Sequence, residues 1–148
     1  MTTPISLTGI DRTITINASP ERVYRALTTV SELSTWFQAT VEGEIAIGNQ
    51  VWMTSFGQRF RVEFVEMTLP SRFVWRWHPG RVDPAVDYSK EPRTTVTFTL
   101  EPADGGTLLH VSETGFDQVS LARRASVHAD NSKGWPTVLG WLRDYVQK

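Results

Sequence analysis

The chain contains no cysteine. Disulfides, thiol nucleophiles and thiolate metal sites are thereby excluded, and the absence suits a reducing, cytoplasmic location, which is the compartment we expect. Histidine is scarce. His78, His110 and His128 are the only three, and none stands in His-x-His or His-Glu-x-x-His spacing. A metal would need ligands converging from separate elements, so neither a metal nor a cofactor is expected. Charge of one sign is lacking too: 15 basic residues face 16 acidic ones. That balance provides no bulk attraction to nucleic acid or to an anionic membrane, and Arg123-Arg124 is too short a basic step to change this. No apolar run approaches the ~20 residues of a membrane-spanning helix. The opening MTTPISLTGIDR lacks the basic start and apolar stretch of a secretory signal. The Gly-x-Ser-x-Gly elbow, the P-loop and the dinucleotide-binding glycine pattern are absent.

What the chain does have is rings: six Trp and seven Phe in 148 residues. Large rings leave awkward gaps unless something fills them, so they make either a bulky core or an aromatic-lined pocket. Hydrophobic residues at 40% suffice for a core without staples in a single domain spanning residues 1–148.

Alternation over residues 11–17 marks a half-buried strand. Ser19-Pro20 then pairs a good N-cap with a favoured first helical residue, which opens a helix through Val23, Tyr24, Ala26 and Leu27. Ser31 reads as the cap of a second short helix that turns Leu33, Trp36 and Phe37 inward. From residue 40 the texture becomes β-branched and aromatic, with strands predicted over 40–45, 50–56, 59–67 and 72–78. Their short separators make neighbours antiparallel. Residues 79–92 hold three Pro and form a long loop of the kind that covers sites. Residues 93–101 and 107–114 form the clearest hairpin, around Asp104-Gly105-Gly106.

The last segment, 119–147, places Leu121, Ala125, His128, Ser132, Trp135, Leu139, Leu142 and Val146 on one helical stripe. Its second half is large and apolar. Its first half is small or polar, so a helix laid across a curved sheet would leave a space there. Pro136 removes an N–H from the helix interior, and a kink or break is expected nearby. Helices gathered on one side of an antiparallel sheet make the fold α+β.

These stretches carry a resemblance. ITINASPERVYRAL, SELSTWF, FRVEFVEMTLPSRFVWRW, TTVTFTLEPADGGTLLHVSETGF and KGWPTVLGWLRDYV, covering about residues 11–147, resemble the START-like superfamily called SRPBCC, whose fold is the helix-grip. More closely, they look like its branch named after a homologue of the activator of a heat-shock chaperone ATPase. The resemblance implies a pocket between the sheet and the C-terminal helix. It implies no fixed catalytic residues.

Parity selects candidates. With Val96, Phe98 and Leu100 inward, the partners Leu109 and Val111 face inward as well, and Glu113 continues that parity. A carboxyl group aimed into an apolar space suits a general acid, a base or a ligand anchor. Phe60, Val62 and Phe64 form the inward set of one middle strand, and Phe73, Trp75 and Trp77 that of the next. Arg61 and Arg76 fall outside, in cross-strand pairing with Glu63. The expected pocket lining is Trp36, Phe60, Trp75, Trp77, Glu113, His128 and Ser132, with a small apolar or aromatic molecule as partner. Two other functions stay open: an enzyme using Glu113 and His128 for proton transfer, and a chaperone-linked interaction module. Self-association as a homodimer cannot be read from the chain.

Overall fold

The computed structural model describes residues 9–81, 83 and 85–148, so most of the opening segment read for a secretory signal lies outside the described residues. Ser19 caps the first helix, its hydroxyl accepting from Arg22 N at 3.2 Å. The elements run β1 (Ile10–Ile16), α1 (Pro20–Thr28), α2 (Val30–Trp36), β2 (Thr40–Glu42), β3 (Gln50–Ser55), β4 (Gln58–Thr68), β5 (Arg72–Trp77), β6 (Thr94–Ala103), β7 (Gly106–Thr114), a 3-10 turn (Phe116–Gln118) and α3 (Leu121–Val146). All strand pairs are antiparallel, in the order β1-β7-β6-β5-β4-β3-β2. A seven-stranded curved sheet with a long C-terminal helix is the helix-grip fold.

Period-2 alternation sets the concave face. Val62, Phe64, Phe73, Trp75, Val96, Phe98, Leu109 and Val111 are all buried there. Phe73 sits among rings, stacked on Phe64 (5.6 Å) and Phe98 (6.0 Å). A bulge between Phe64 and Glu66 shifts the β4–β5 register. The bulge adds twist without turning any of the inward rings out. Glu63 does lie opposite Arg76, but its ion pair is with Arg93 Nη2 at 2.9 Å. Arg61 instead lies over the Trp52 ring at 4.5 Å, as does Arg59 at 4.1 Å.

Three local expectations need correction. The second helix is capped by Thr29 rather than Ser31, because Thr29 holds extended backbone while its carbonyl accepts from Leu33 N at 2.8 Å. β2 stops at Glu42, where Gly43 takes a φ of +126° that a strand cannot continue. The C-terminal helix is one unbroken element despite Pro136. The carbonyl of Ser132, left without its helical donor by the proline, accepts from Arg12 Nη2 of β1 at 3.3 Å. The tertiary fold thus supplies the hydrogen bond that the helix cannot.

The face of α3 also differs in its first half. Trp135, Leu139, Leu142 and Val146 are buried as expected, but Val127 and Val138 join them and Leu121 is 81% exposed. Val127 packs on Gly80: a Cβ on Gly80 would lie 2.7 Å from the Val127 side chain, and Gly80 has a φ of +71°. This close approach sets the rotation of the helix and turns residue 131, rather than 128 or 132, toward the sheet.

Candidate functional site

Four segments converge at one end of the sheet. The β3–β4 hairpin contributes Ser55, Phe56, Gln58 and Phe60, and Phe37 follows α2. β5 and the residues after it contribute Trp77, His78, Gly80 and Arg81. From α3 come Asp130, Asn131, Gly134, Trp135 and Val138. Between them lies a cleft of about 440 Å3. Gly134 helps to make this space, since a Cβ there would meet nothing within 4 Å. Phe60 meets Trp77 edge-on at 5.6 Å, and Trp77 lies 5.8 Å from Trp135. At the mouth, Phe56 is 58% exposed and adopts left-handed backbone (φ 54°) in the hairpin turn. Its ring stacks on Trp141 at 5.5 Å.

Behind the cleft wall lies Glu113, fully buried. Trp77 Nε1–H donates to its Oε2 at 2.9 Å, and Trp135 Nε1–H donates to Oε1 at 2.9 Å. Thr94 Oγ1 donates to Oε2 at 2.5 Å. Asn131 Nδ2 lies 2.9 Å from both oxygens, while Asn131 Oδ1 accepts from Gly80 N at 3.1 Å. Indole and amide N–H groups are donors only, so the carboxyl oxygens must accept. Buried carboxyl groups persist where their lone pairs are filled in this way. Among the described residues no basic side chain forms an ion pair with Glu113.

The expected lining is therefore divided. Phe60 and Trp77 line the cleft. Glu113 lies behind it, joined to Trp77, Asn131 and Trp135. Trp36 is part of the core instead, its Nε1 donating to Ala26 O at 2.7 Å. Trp75 is fully buried among Phe73, Trp77 and Phe98, and its Nε1 has no partner among the described residues. His128 lies edge-on to Phe116 at 4.9 Å, with Ser132 Oγ at 3.5 Å from its Nδ1. Neither His128 nor Ser132 lines the cleft, because the Val127–Gly80 contact turns that part of α3 by about one residue. Glu113 and His128 do not open onto a shared void, so the geometry assembles no acid–base pair from them.

Sequence reasoning does not single out Asn131, Trp135, Phe56 or Gly134 as lining. Trp135 lies on the predicted stripe but reads there as sealing the core. Asn131 and Gly134 carry a usable signal, a polar and a small residue one position from that stripe.

His78 lines the cleft and is held below its ordinary range. Burial is the main cause; the guanidinium groups of Arg93 and Arg123 add to it, and hydrogen bonding to the Glu91 carbonyl opposes it. Among the described residues, no group of His, Asp and Glu is gathered so that it could hold a metal ion, and no helix is long and apolar enough to cross a membrane.

Three of the solved structures that share the fold illustrate the likeness. A protein from Mesorhizobium loti matches with TM-score 0.76 and 24% identity over 94% of this chain and 96% of its own. An Aha1 dimer from Colwellia psychrerythraea matches with TM-score 0.74 and 21% identity over 93% and 95%. A protein of the dynemicin biosynthetic locus matches with TM-score 0.74 and 21% identity over 95% of this chain but 48% of its own, so this chain spans about half of that protein. No curated protein matches in sequence. With its strands, helices and cleft in this arrangement, and with residues 17–147 matching the family model, the chain belongs to the family described as activator of Hsp90 ATPase homolog 1-like protein.

Proposed function

We propose that the protein binds a small hydrophobic or aromatic molecule in the cleft between the sheet and α3. One observation carries this reading: about 440 Å3 of space walled by Phe37, Phe56, Phe60, Trp77, Trp135 and Val138. Ligand sites are clefts of ~300–1,000 Å3 with apolar walls and a few polar groups, and here Arg81 and Asp130 supply polar groups. The occurrence of a structural neighbour in a biosynthetic locus supports a small-molecule role. The protein acts as one domain in the cytoplasm. The large exposed apolar residues Ile47, Phe56, Leu69, Val86 and Leu121 belong to five separate segments, and Phe56 is the one that lines the cleft, which favours the ligand over a chaperone-type partner. A dimer among the structural neighbours makes self-association a property to measure by sedimentation.

The test uses N-phenyl-1-naphthylamine, a neutral aromatic probe whose fluorescence rises in apolar surroundings. Gly134→Leu places a side chain in the open space while improving helix propensity by roughly 0.8 kcal/mol. We expect at least a tenfold loss of probe affinity with no loss of thermal stability. Wild-type affinity in Gly134→Leu would sink the assignment. Native mass spectrometry of the purified protein should show a co-purified small molecule that leaves on denaturation.

A further inference from the structure

The cleft contains fewer free donors than its residues imply. Trp77, Trp135 and Asn131 line it, and each carries an N–H that could bind a ligand. All three turn that N–H away, to Glu113. We infer that Glu113 is the positioning residue of the cleft: it gathers the polar ends of three wall residues behind the wall and presents their apolar surfaces to the ligand. This inference deepens the proposed function and rests on it for the ligand.

Two consequences follow from the geometry. Each indole is pinned at its nitrogen, which sets the plane of its ring, so the two rings have one arrangement rather than several. The Asn131 amide is committed on both sides, its Nδ2 to Glu113 and its Oδ1 to Gly80 N. That bond ties the start of the 79–92 loop to α3 at the cleft edge. The inner wall then offers the apolar faces of two fixed indoles. The polar groups left over, Arg81 and Asp130, make no hydrogen bond or ion pair with another described residue. The molecule that fits has an apolar, ring-bearing end directed inward and its polar atoms directed toward Arg81 and Asp130. An inward hydroxyl or amine would find both indole N–H groups already held by Glu113 and would lose its water, a mismatch that selects against it.

The carboxyl group itself is necessary for this arrangement. An amide at position 113 would, in either orientation, turn its NH2 toward an indole N–H that can only donate, that of Trp77 or that of Trp135. Glu113→Gln therefore breaks the arrangement while keeping side-chain size. Thr94 is the control: its hydroxyl also donates to Glu113, but Thr94 does not line the cleft. Thr94→Val removes a bond from the same carboxyl group and leaves both rings and Asn131 in place.

The experiment needs no ligand for its first part. In 15N-labelled protein the indole signals of Trp77, Trp135 and Trp75 are assigned from Trp→Phe variants. Trp75 is buried with an unpartnered indole, so it separates hydrogen bonding from burial. We expect the Trp77 and Trp135 indole protons downfield of that of Trp75 in the wild type, and displaced upfield in Glu113→Gln. The second part titrates N-phenyl-1-naphthylamine, with at least a fivefold affinity loss expected in Glu113→Gln and less than twofold in Thr94→Val. Indole protons of Trp77 and Trp135 at or upfield of Trp75 in the wild type would overturn the inference, even if Glu113→Gln does not fold. Equal affinity losses in the two variants would also overturn it, because Glu113 would then act through stability alone. Bonded indoles in a wild type that binds no probe would count against the proposed function and leave the positioning role standing.

Discussion

At the scale of single residues, two buried tryptophans differ in what their nitrogens do. Trp36 donates to Ala26 O, and Trp75 Nε1 has no partner among the described residues. Removing a buried donor whose acceptor then goes unpaired costs about 1–3 kcal/mol, whereas removing an orphan donor relieves an existing penalty. Trp36→Phe should therefore destabilise the protein more than Trp75→Phe, by about 1 kcal/mol or more, in urea unfolding with unchanged m-values. Equal losses would mean that Trp75 Nε1 is satisfied in solution. Phe56 shows another tension at this scale. A large ring in left-handed backbone is disfavoured, yet here the ring stacks on Trp141 at the cleft mouth.

At the scale of elements, α3 is held by contacts that its own sequence does not announce. Pro136 deletes the N–H owed to Ser132 O, and Arg12 of β1 provides the replacement. The two sites should therefore be coupled. Arg12→Ala is expected to destabilise the wild type by about 1 kcal/mol, the size of one hydrogen bond from a charged donor with partial exposure. In a Pro136→Ala background, where the restored backbone N–H can bond Ser132 O, the same change should have little effect. A double-mutant cycle measures this difference; additive effects would show that Arg12 does not cap the helix carbonyl. The start of the helix is fixed by Val127 against Gly80. The choice of facing side chains is open in the sequence because 121–132 has few large apolar residues to set a phase.

At the scale of the whole molecule, stability should depend on pH through His78. Burial holds its pKa below the usual value of about 6.5, with Arg93 and Arg123 acting in the same direction and Glu91 O opposing. The unfolded chain then takes up a proton at a higher pH than the folded one. The contribution is fully present above about pH 6.5 and is lost as pH falls from there through the lower folded value. Urea midpoints at about pH 7.5, 6.5 and 5.5 should fall most in the lower interval, and His78→Gln should flatten that part of the profile. An unchanged profile in the variant would assign the dependence to other groups. Because His78 also lines the cleft, its protonation is expected to weaken binding of a neutral probe in the same range.

The order of elements, the antiparallel pairing and the inward set from Val62 to Glu113 were legible in the sequence, for a physical reason. A strand has a period of two, so a buried ring at one position determines the facing of its neighbours, and short turns leave only hairpin partners. The family was legible on the same stretches. The lining of the cleft was not. Phe60 and Trp77 follow from parity, but a helix with about 3.6 residues per turn admits adjacent stripes, and only the contact of Val127 with Gly80 decides between them. The role of Glu113 lay wholly in tertiary structure. Its inward direction follows from its place on β7, whereas its four donors come from Trp77, Thr94, Asn131 and Trp135, residues up to 36 positions away. Local sequence sets where a side chain points; what it meets there depends on how separate segments pack.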